Sequence, residues 1–210
     1  MRPESFRPPL TLEGRYVRLV PLDPVHARAL RVAGDDPEIR RYLLNGPGAT
    51  RQDLDALIAL LLDRQKLGTD LPFTTVRASD GVPVGMTRFL HIDRPNDAVE
   101  VGGTWLDSRY WRTPFNTEAK YLLLRHAFDR EGAHRVCFQT DVRNARSRRA
   151  ILRLGAVEEA VLREDRLLPD GGFRSSVFFS ILQSEWPAVK RRLEEELSRP
   201  WSPPEGIIPR

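Results

Sequence analysis

Three strand patterns follow one another between residues 73 and 106, with only short turns between them. The strands are predicted at 73–78, 84–92 and 99–106, and the turns contain Ser79-Asp80-Gly81 and Arg94-Pro95-Asn96-Asp97. Turn-forming residues between apolar segments are typical of hairpins. Strands with such short connections pair antiparallel, because a parallel neighbour needs a long crossover. The centre of the chain is therefore predicted to be an antiparallel meander.

The pattern changes after residue 106. A helix is predicted over 117–128, and a strand follows at 134–141. A strand–helix–strand unit places one parallel pair in the sheet. The other predicted helices are 51–66, 144–154 and 185–197, and the other strands are 16–22, 157–162 and 177–182. The predicted fold class is α+β, with one mixed, mostly antiparallel sheet flanked by helices on both faces.

Proline is concentrated at both ends of the chain. It removes a backbone donor and disfavours helix, so proline-rich ends are typical of extended arms or tails. A length of 210 residues suits a single domain better than two. We therefore predict an N-terminal arm over 1–9, one domain over 10–199 and a C-terminal tail over 200–210.

Arginine supplies nearly all of the positive charge, since only three of the 33 basic residues are lysines. Guanidinium groups bind phosphates well, so a nucleic-acid-binding or ribosome-binding module is one alternative function. However, 29 acidic residues are interspersed and the net charge is only +4. The longest basic block is Lys190-Arg191-Arg192, whereas a surface that follows a phosphate backbone needs a denser stripe. The charge distribution therefore argues against nucleic acid as a partner.

Several other classes of protein are excluded by simple counts. No apolar run approaches the roughly 18–20 residues of a membrane span, and the first residues lack the apolar core of a secretory signal. A single cysteine, Cys137, excludes an internal disulfide, and the four histidines have no metal-ligand spacing. We expect a cytoplasmic protein with no membrane partner and no metal.

The first candidate for chemistry is the segment 109–119, which leads from a strand into a helix. A helix N-terminus offers free N–H groups to phosphate oxygens, and Arg109 and Arg112 stand just before it. The alternative is an ordinary turn, with Thr113 or Asn116 as N-cap and Pro114 at the first helical position.

The second candidate is the start of the helix 144–154. Asn144, Ser147, Ile151 and Leu154 are spaced so that they share one face. The two apolar residues should point into the core, which places Asn144 and Ser147 at the polar end of the same stripe, where a cleft is expected. The alternative is that Asn144 is only an N-cap and Ser147 a tolerated small residue.

The third candidate is Glu100, in the middle of a predicted strand. Glutamate is depleted in strands, so this carboxylate is either a general base or the partner of a neighbour such as Arg88. Gly102-Gly103 directly after it indicates a bulge or a close backbone approach. Strict alternation places Val99, Val101 and Trp105 on one face, and Glu100 and Thr104 on the other.

Taken together, these segments resemble one family. The order is a Glu-bearing strand ending in Trp105-Leu106, a loop ending in Asn116-Thr117-Glu118-Ala119, a strand, and Asn144-x-x-Ser147 followed by Leu154-Gly155-Ala156. This order is similar to that of the GNAT acetyltransferases, in particular the RimJ/RimL-like branch. The resemblance extends over roughly 10–182.

The resemblance implies an N-acetyltransferase that moves an acetyl group from acetyl-CoA to a primary amine, either a protein N-terminus or a small molecule. It implies Glu100 as the base toward the amine and Ser147 as the acid toward the leaving thiolate. The residues implied to bind the cofactor are Thr104, Trp105, Leu106, Arg112, Thr113, Phe115, Asn116, Thr117, Asn144 and Ser147. Arg109, Arg143 and Arg146 would also lie near the phosphates.

One departure from the family pattern lies in the phosphate loop. Where the family has glycines, this chain has Pro114 and Asn116, and the proline removes one N–H donor. A GNAT-fold protein that binds a ligand without turnover is therefore a further alternative.

The last helix and Trp201 could dock on a second copy of the chain, which would form a homodimer. Loops at 45–50, 91–97 and 167–173 should shape the acceptor side.

Overall fold

The structure is a computed structural model that describes residues 1–2, 4–42, 51–168 and 171–202. The predicted loop 45–50, part of the predicted turn at 169–172 and most of the predicted tail lie outside these residues. The strands are β1 (Leu12–Glu13), β2 (Val17–Pro21), β3 (Leu71–Arg77), β4 (Pro83–Asp93), β5 (Ala98–Leu106), β6 (Arg135–Asp141), β7 (Val157–Leu167) and β8 (Phe173–Leu182). The helices are α1 (Ala27–Ala33), α2 (Pro37–Arg40), α3 (Arg51–Lys66), α4 (Pro114–Arg125), α5 (Ala145–Leu154) and α6 (Trp186–Ser198).

The strands form one eight-stranded sheet in the order β1-β2-β3-β4-β5-β6-β8-β7. Every neighbouring pair is antiparallel except β5 and β6, which are parallel and joined through α4. Helices pack on both faces of the sheet, so the predicted α+β class and the single parallel pair are confirmed.

Element boundaries differ from prediction at the last hairpin, where β7 ends five residues later and β8 begins four residues earlier than predicted, and around α4. The helix α4 shows the physical reason most clearly. This helix begins at Pro114, three residues before the predicted start, because Thr113 caps it. Its regular part ends at Arg125, and a single π-helical turn continues to Arg130. Gly132 follows with a φ of 69°, a backbone conformation that glycine adopts without strain.

Two apolar clusters lie on opposite faces of the sheet. The larger contains the inner faces of α4, α5 and α6 against the centre of the sheet, where Phe138 and Phe179 are almost fully buried. The smaller contains α1 and α3 against Met86 and Trp105. These two clusters hold β5 from both sides.

A bulge in β5 changes which side chains face each cluster. Arg88 of β4 pairs with Gly102, whereas Met86, two residues earlier, pairs with Trp105, so β5 contains one extra residue. Gly103 accommodates it with a φ of 57°. As a result, Val101 lies in the larger cluster and Trp105 in the smaller one. The predicted bulge is present, but the predicted sharing of one face by Val99, Val101 and Trp105 is wrong.

The described parts of both ends contact the body of the protein. Phe6 is 2% exposed, and its ring meets the ring of Phe89 edge-on at a centroid distance of 4.7 Å. Trp201 packs edge-on against Tyr16 and Phe115 of the same chain. The proposed domain limits and a homodimer stay predictions.

Glu118 attaches the first hairpin to α4. Its carboxylate is buried and accepts the backbone N–H groups of Arg15, Tyr16 and Val17 at 2.6–2.8 Å. A side chain at Gly14 would collide with that carboxylate, because an added Cβ would lie 2.5 Å from its Cδ. The position of α4 is therefore fixed by a charged group that the protein surrounds with donors.

Candidate active site

Strands β5 and β6 pair over only three residues and then part. Their parallel pairing covers Ala98 to Glu100 against Arg135 to Cys137, while β5 continues to Leu106 and β6 to Asp141. Beyond Glu100 the backbone of β5 therefore has no strand partner on its β6 side. A wedge of this kind leaves N–H and C=O groups free to pair with an extended ligand.

Glu100 stands at the apex of this wedge. Its side chain is 12% exposed, and its Oε2 lies 2.9 Å from Nδ1 of His91 on β4. The hydrogen bond with Glu100 is the main cause that raises the pKa of His91. The partner suggested by the sequence, Arg88, instead lies nearest Asp70, at 3.4 Å. Glu100 is thus joined to a group that changes charge near neutral pH.

His91 has a backbone conformation that is unusual for its residue type. Its φ is 49°, within an irregularity of the β4–β5 pairing between Leu90 and Asp93. A non-glycine residue in the left-handed region is strained, and such strain is often found at functional sites. The His91 side chain is 61% exposed, so it connects the nearly buried Glu100 with solvent.

Lys120 of α4 fills part of the space between the parted strands. It is 6% exposed, donates from Nζ to Thr104 Oγ1 of β5 at 2.6 Å, and lies 5.8 Å from the ring centroid of Phe138 on β6. Burial lowers the pKa of Lys120 to about 7, although Glu100 opposes the shift. A buried amine at the wedge is therefore close to half neutral at physiological pH.

The N-terminus of α4 is built as an ordinary capped helix start. Thr113 Oγ1 accepts the N–H of Phe115 at 3.4 Å, and Pro114 occupies the first helical position. Phe115 is 2% exposed, so only backbone atoms of this residue can face a ligand. Thr117 is also buried and accepts a hydrogen bond from Arg153. The N–H of Thr117 makes the first intrahelical bond to the Thr113 carbonyl, so the N–H of Asn116 remains as a donor of the first turn.

Two of the arginines expected near the phosphates are paired with local aspartates. Arg109 binds Asp107 with Nη2 at 2.5 Å, and Arg143 binds Asp141 with Nη2 at 2.7 Å. Both aspartates are almost fully buried at the ends of β5 and β6, and each also accepts the backbone N–H of its arginine. These pairs fix the turns that follow the two strands.

The other two arginines differ in their availability. The guanidinium of Arg146 stacks over Trp111, with its Cζ 3.6 Å from the ring centroid. Arg112 is exposed, has a φ of 61° and makes no ion pair within the described part of the chain. Arg112 is therefore the arginine of this group that is best placed to meet a new anion.

At the start of α5, Asn144 is an N-cap and also belongs, with Ser147, to the polar end of the predicted stripe. Asn144 is the N-cap, and its Oδ1 accepts the N–H of Ser147 at 3.0 Å. Ile151 and Leu154 are buried as predicted, so Asn144 and Ser147 continue that stripe toward the open end of the sheet. Both side chains are only partly buried, which leaves them accessible to a ligand.

Two residues of this region, His91 and Lys120, were not among the sequence candidates. Lys120 had a detectable signal, because it lies at helical spacing with the buried Leu123, Leu124 and Ala127. His91 had no such signal, because its proximity to Glu100 depends on an irregularity in the pairing of β4 with β5.

Among the described residues, no helix is long and apolar enough to cross a membrane. The same part of the chain contains no group of three or more His, Cys, Asp or Glu side chains arranged to hold a metal ion.

Comparisons with known proteins agree with this geometry. The sequence profile described as "Acetyltransferase (GNAT) domain" matches residues 17–157, more than half of the chain. The chain therefore belongs to the GNAT acetyltransferase family.

Individual relatives place the chain within this family. YdaF of Bacillus subtilis (strain 168), provisionally named a ribosomal N-acetyltransferase, is 31% identical over 111 residues, or 53% of this chain and 60% of YdaF. A crystal structure from T. thermophilus, provisionally named an acetyltransferase, is 43% identical with a TM-score of 0.81, over 90% of this chain and 97% of that one. Mycobacterium smegmatis RimJ in complex with CoA-disulfide shares the fold, with 22% identity and a TM-score of 0.78 over 92% and 98% of the two chains. These names agree with the RimJ/RimL-like resemblance seen in the sequence.

Proposed function

We propose that the protein is an acetyl-CoA-dependent N-acetyltransferase whose acceptor is a primary amine. The observation that carries this proposal is the wedge between β5 and β6, with a carboxylate at its apex. Acetyl-CoA would supply the activated thioester. RimJ, which shares the fold, is described in complex with CoA-disulfide, and the name of YdaF points to a protein acceptor.

The residues at the wedge fit the parts of CoA in a consistent order. The free backbone edge of Thr104, Trp105 and Leu106 would pair with the pantetheine amides, although the Leu106 carbonyl already accepts the indole N–H of Trp111. The first turn of α4 and Arg112 would hold the pyrophosphate. Asn144 and Ser147 would contact the arm from the start of α5.

The proton transfers can be assigned to groups of this chain. Glu100 would take a proton from the acceptor amine, and the exposed His91 would pass that proton to solvent. Ser147 would donate a proton to the leaving thiolate. Backbone N–H groups of the β5 bulge would stabilise the oxyanion.

A turnover assay tests the proposal directly. The full chain is incubated with acetyl-CoA and a panel of peptides, amino acids and polyamines, and free thiol is measured. Calorimetry with acetyl-CoA runs in parallel. Binding with amine-dependent thiol release supports the enzyme, binding without release supports a ligand-binding protein, and no binding at millimolar acetyl-CoA contradicts both.

Arg112 provides a prediction about cofactor affinity. Arg112→Ala should weaken CoA binding by about tenfold, because one unpaired guanidinium contact to phosphate contributes roughly 1–2 kcal/mol. Arg109→Ala is the matched control and should change the Kd less than threefold, because Asp107 already binds that guanidinium. Calorimetry with CoA measures both values, and equal losses would show that the phosphates lie elsewhere.

The His91–Glu100 pair provides a prediction about pH. Because Glu100 raises the pKa of His91 above its ordinary value of 6.5, the imidazole is already protonated below that raised pKa and cannot take a second proton. We therefore expect kcat to fall as the pH drops through a value above 6.5. In His91→Gln this decrease of kcat at low pH should disappear from the kcat–pH profile. An unchanged decrease would exclude His91 from the proton path.

A further inference from the structure

Polar side chains share one face of the sheet beside Glu100. Glu100 pairs with Cys137 across β5 and β6, and Asp141 pairs with Ser176 across β6 and β8. Because alternate residues of a strand face the same way, these residues and those two positions away lie on one face. We call this surface the acceptor face; its polar members include Glu100, Gln139, Asp141, Asp165, Arg174 and Ser176.

Arg174 is the most unusual member of the acceptor face. It is 6% exposed, and its guanidinium donates one hydrogen bond, from Nε to Ser176 Oγ at 3.0 Å. It makes no ion pair within the described part of the chain, and the remainder of its five N–H donors have no partner there. The terminal nitrogens of this largely buried side chain still reach solvent, so an anionic ligand can supply the carboxylate that the described residues do not.

The carboxylates nearest to Arg174 are held by other groups. Asp141 binds Arg143 at 2.7 Å, and Asp165 accepts a hydrogen bond from Gln139 at 3.1 Å. Burial lowers the pKa of Arg174, and the charges of Asp141, Asp165 and Glu100 only partly oppose that shift. The charge of Glu100 therefore acts on Arg174, but the two side chains form no ion pair in the described structure.

A bulge in β7 directs Asp165 onto the acceptor face. The pairing of β7 with β8 is irregular between Leu162 and Arg166, and Glu164 has a φ of 51°. Bulges often re-aim a side chain beside an active site. The Asp165 Oδ1 atom is buried and lacks a hydrogen-bond partner among the described residues. Among the described residues, the face thus contains a cation without an ion pair and a carboxylate oxygen without a hydrogen-bond donor.

Resting on the proposed function, we infer that the acceptor is an amine that also carries a carboxylate, which Arg174 binds while the amine faces Glu100. Asp165 Oδ1 would accept an N–H of the same molecule. The carboxylate can belong to a free amino acid or to an acidic first residue of a peptide. In either case a polyamine or a simple alkyl amine would leave Arg174 buried and unpaired.

The first test uses the unmodified protein and matched acceptors. Free glutamate and aspartate are compared with glutamine amide and asparagine amide, in which both carboxylates are converted to carboxamides. Peptides beginning with Glu or Asp are compared with peptides beginning with Gln or Asn. We expect kcat/KM to favour the carboxylate by about 30-fold in at least one of these two arms. The arm that shows the preference identifies the source of the carboxylate, and equal values in both arms would overturn the inference.

A pair of variants then assigns the preference to Arg174. Arg174→Gln should reduce the preference to less than threefold by lowering kcat/KM for the carboxylate acceptor. Arg163→Gln is the matched control, because Arg163 is an exposed arginine of β7 that forms no ion pair with Asp165 in the described residues. A preference that survives in Arg174→Gln, or that is lost equally in Arg163→Gln, would contradict the assignment.

Calorimetry separates this inference from the proposed function. Glutamate, aspartate and the Glu- and Asp-peptides are titrated into the protein in the presence and absence of CoA. If no amine is acetylated, the proposed function fails, yet carboxylate binding that is lost in Arg174→Gln still supports the site. If no carboxylate binds and amines are acetylated without preference, the site fails and the proposed function stands.

Discussion

Glu100→Gln is expected to lower kcat for amine acetylation by about two to three orders of magnitude, the usual contribution of a general base. Glutamine keeps the size of the side chain and an oxygen that can face Nδ1 of His91, but it cannot take a proton from an amine. The Kd for acetyl-CoA should not change, because the wedge backbone and the start of α4 are unaffected. Initial rates at saturating acetyl-CoA and calorimetry measure the two quantities.

The matched control for this substitution is Glu159→Gln. Glu159 is a carboxylate of the edge strand β7, bound to Arg135 and 34% exposed, with no contact to His91 in the described structure. We expect its kcat to stay within about twofold of the unmodified protein. Equal rates for Glu100→Gln and the unmodified protein would exclude Glu100 as the base, whereas equal losses in both variants would indicate a general effect of charge.

Local patterns were sufficient to predict most of the sheet. Alternation and turn residues identify β3, β4 and β5, and the strand–helix–strand order predicts the parallel pair that creates the wedge. The faces of β5 were not predictable in the same way. Alternation holds only while the register is unbroken, and the extra residue at Gly102-Gly103 reverses it for Trp105.

The candidate site shows the same division between local and long-range information. The shared face of Asn144 and Ser147 follows from helical spacing alone, and in the structure both residues lie together at the start of α5. The pairing of Arg109 with Asp107 is equally local, since the two residues are separated by one position. By contrast, the contact between His91 and Glu100 and the burial of Arg174 depend on how strands from distant parts of the chain are aligned. No spacing rule contains that information.

Lys120→Met is expected to raise the free energy of unfolding at pH 7 by roughly 2–4 kcal/mol. The pKa of Lys120 is about 7 in the folded protein, whereas an unfolded lysine has a value near 10.5. Between these values the unfolded chain binds a proton that the folded protein does not, so the stability of the unmodified protein rises with pH from about 7 to about 10.5. Below pH 7 both states are protonated and the full cost of the buried charge is present.

Urea unfolding at several pH values from 6 to 10 measures this difference. The unmodified protein should become more stable across the upper part of the range, and Lys120→Met should lose that rise, because methionine has no proton to release. Lys66→Met is the matched control, since Lys66 is 76% exposed beside Asp63 and its removal should leave the pH dependence unchanged. Apart from the substituted lysine, all ionisable groups are common to the three proteins, so the difference between their pH curves belongs to Lys120. If the free energies of unfolding of Lys120→Met and the unmodified protein depend on pH in the same way, the Lys120 amine keeps its charge between the parted strands. The wedge would then be a cationic rather than a neutral environment for a thioester.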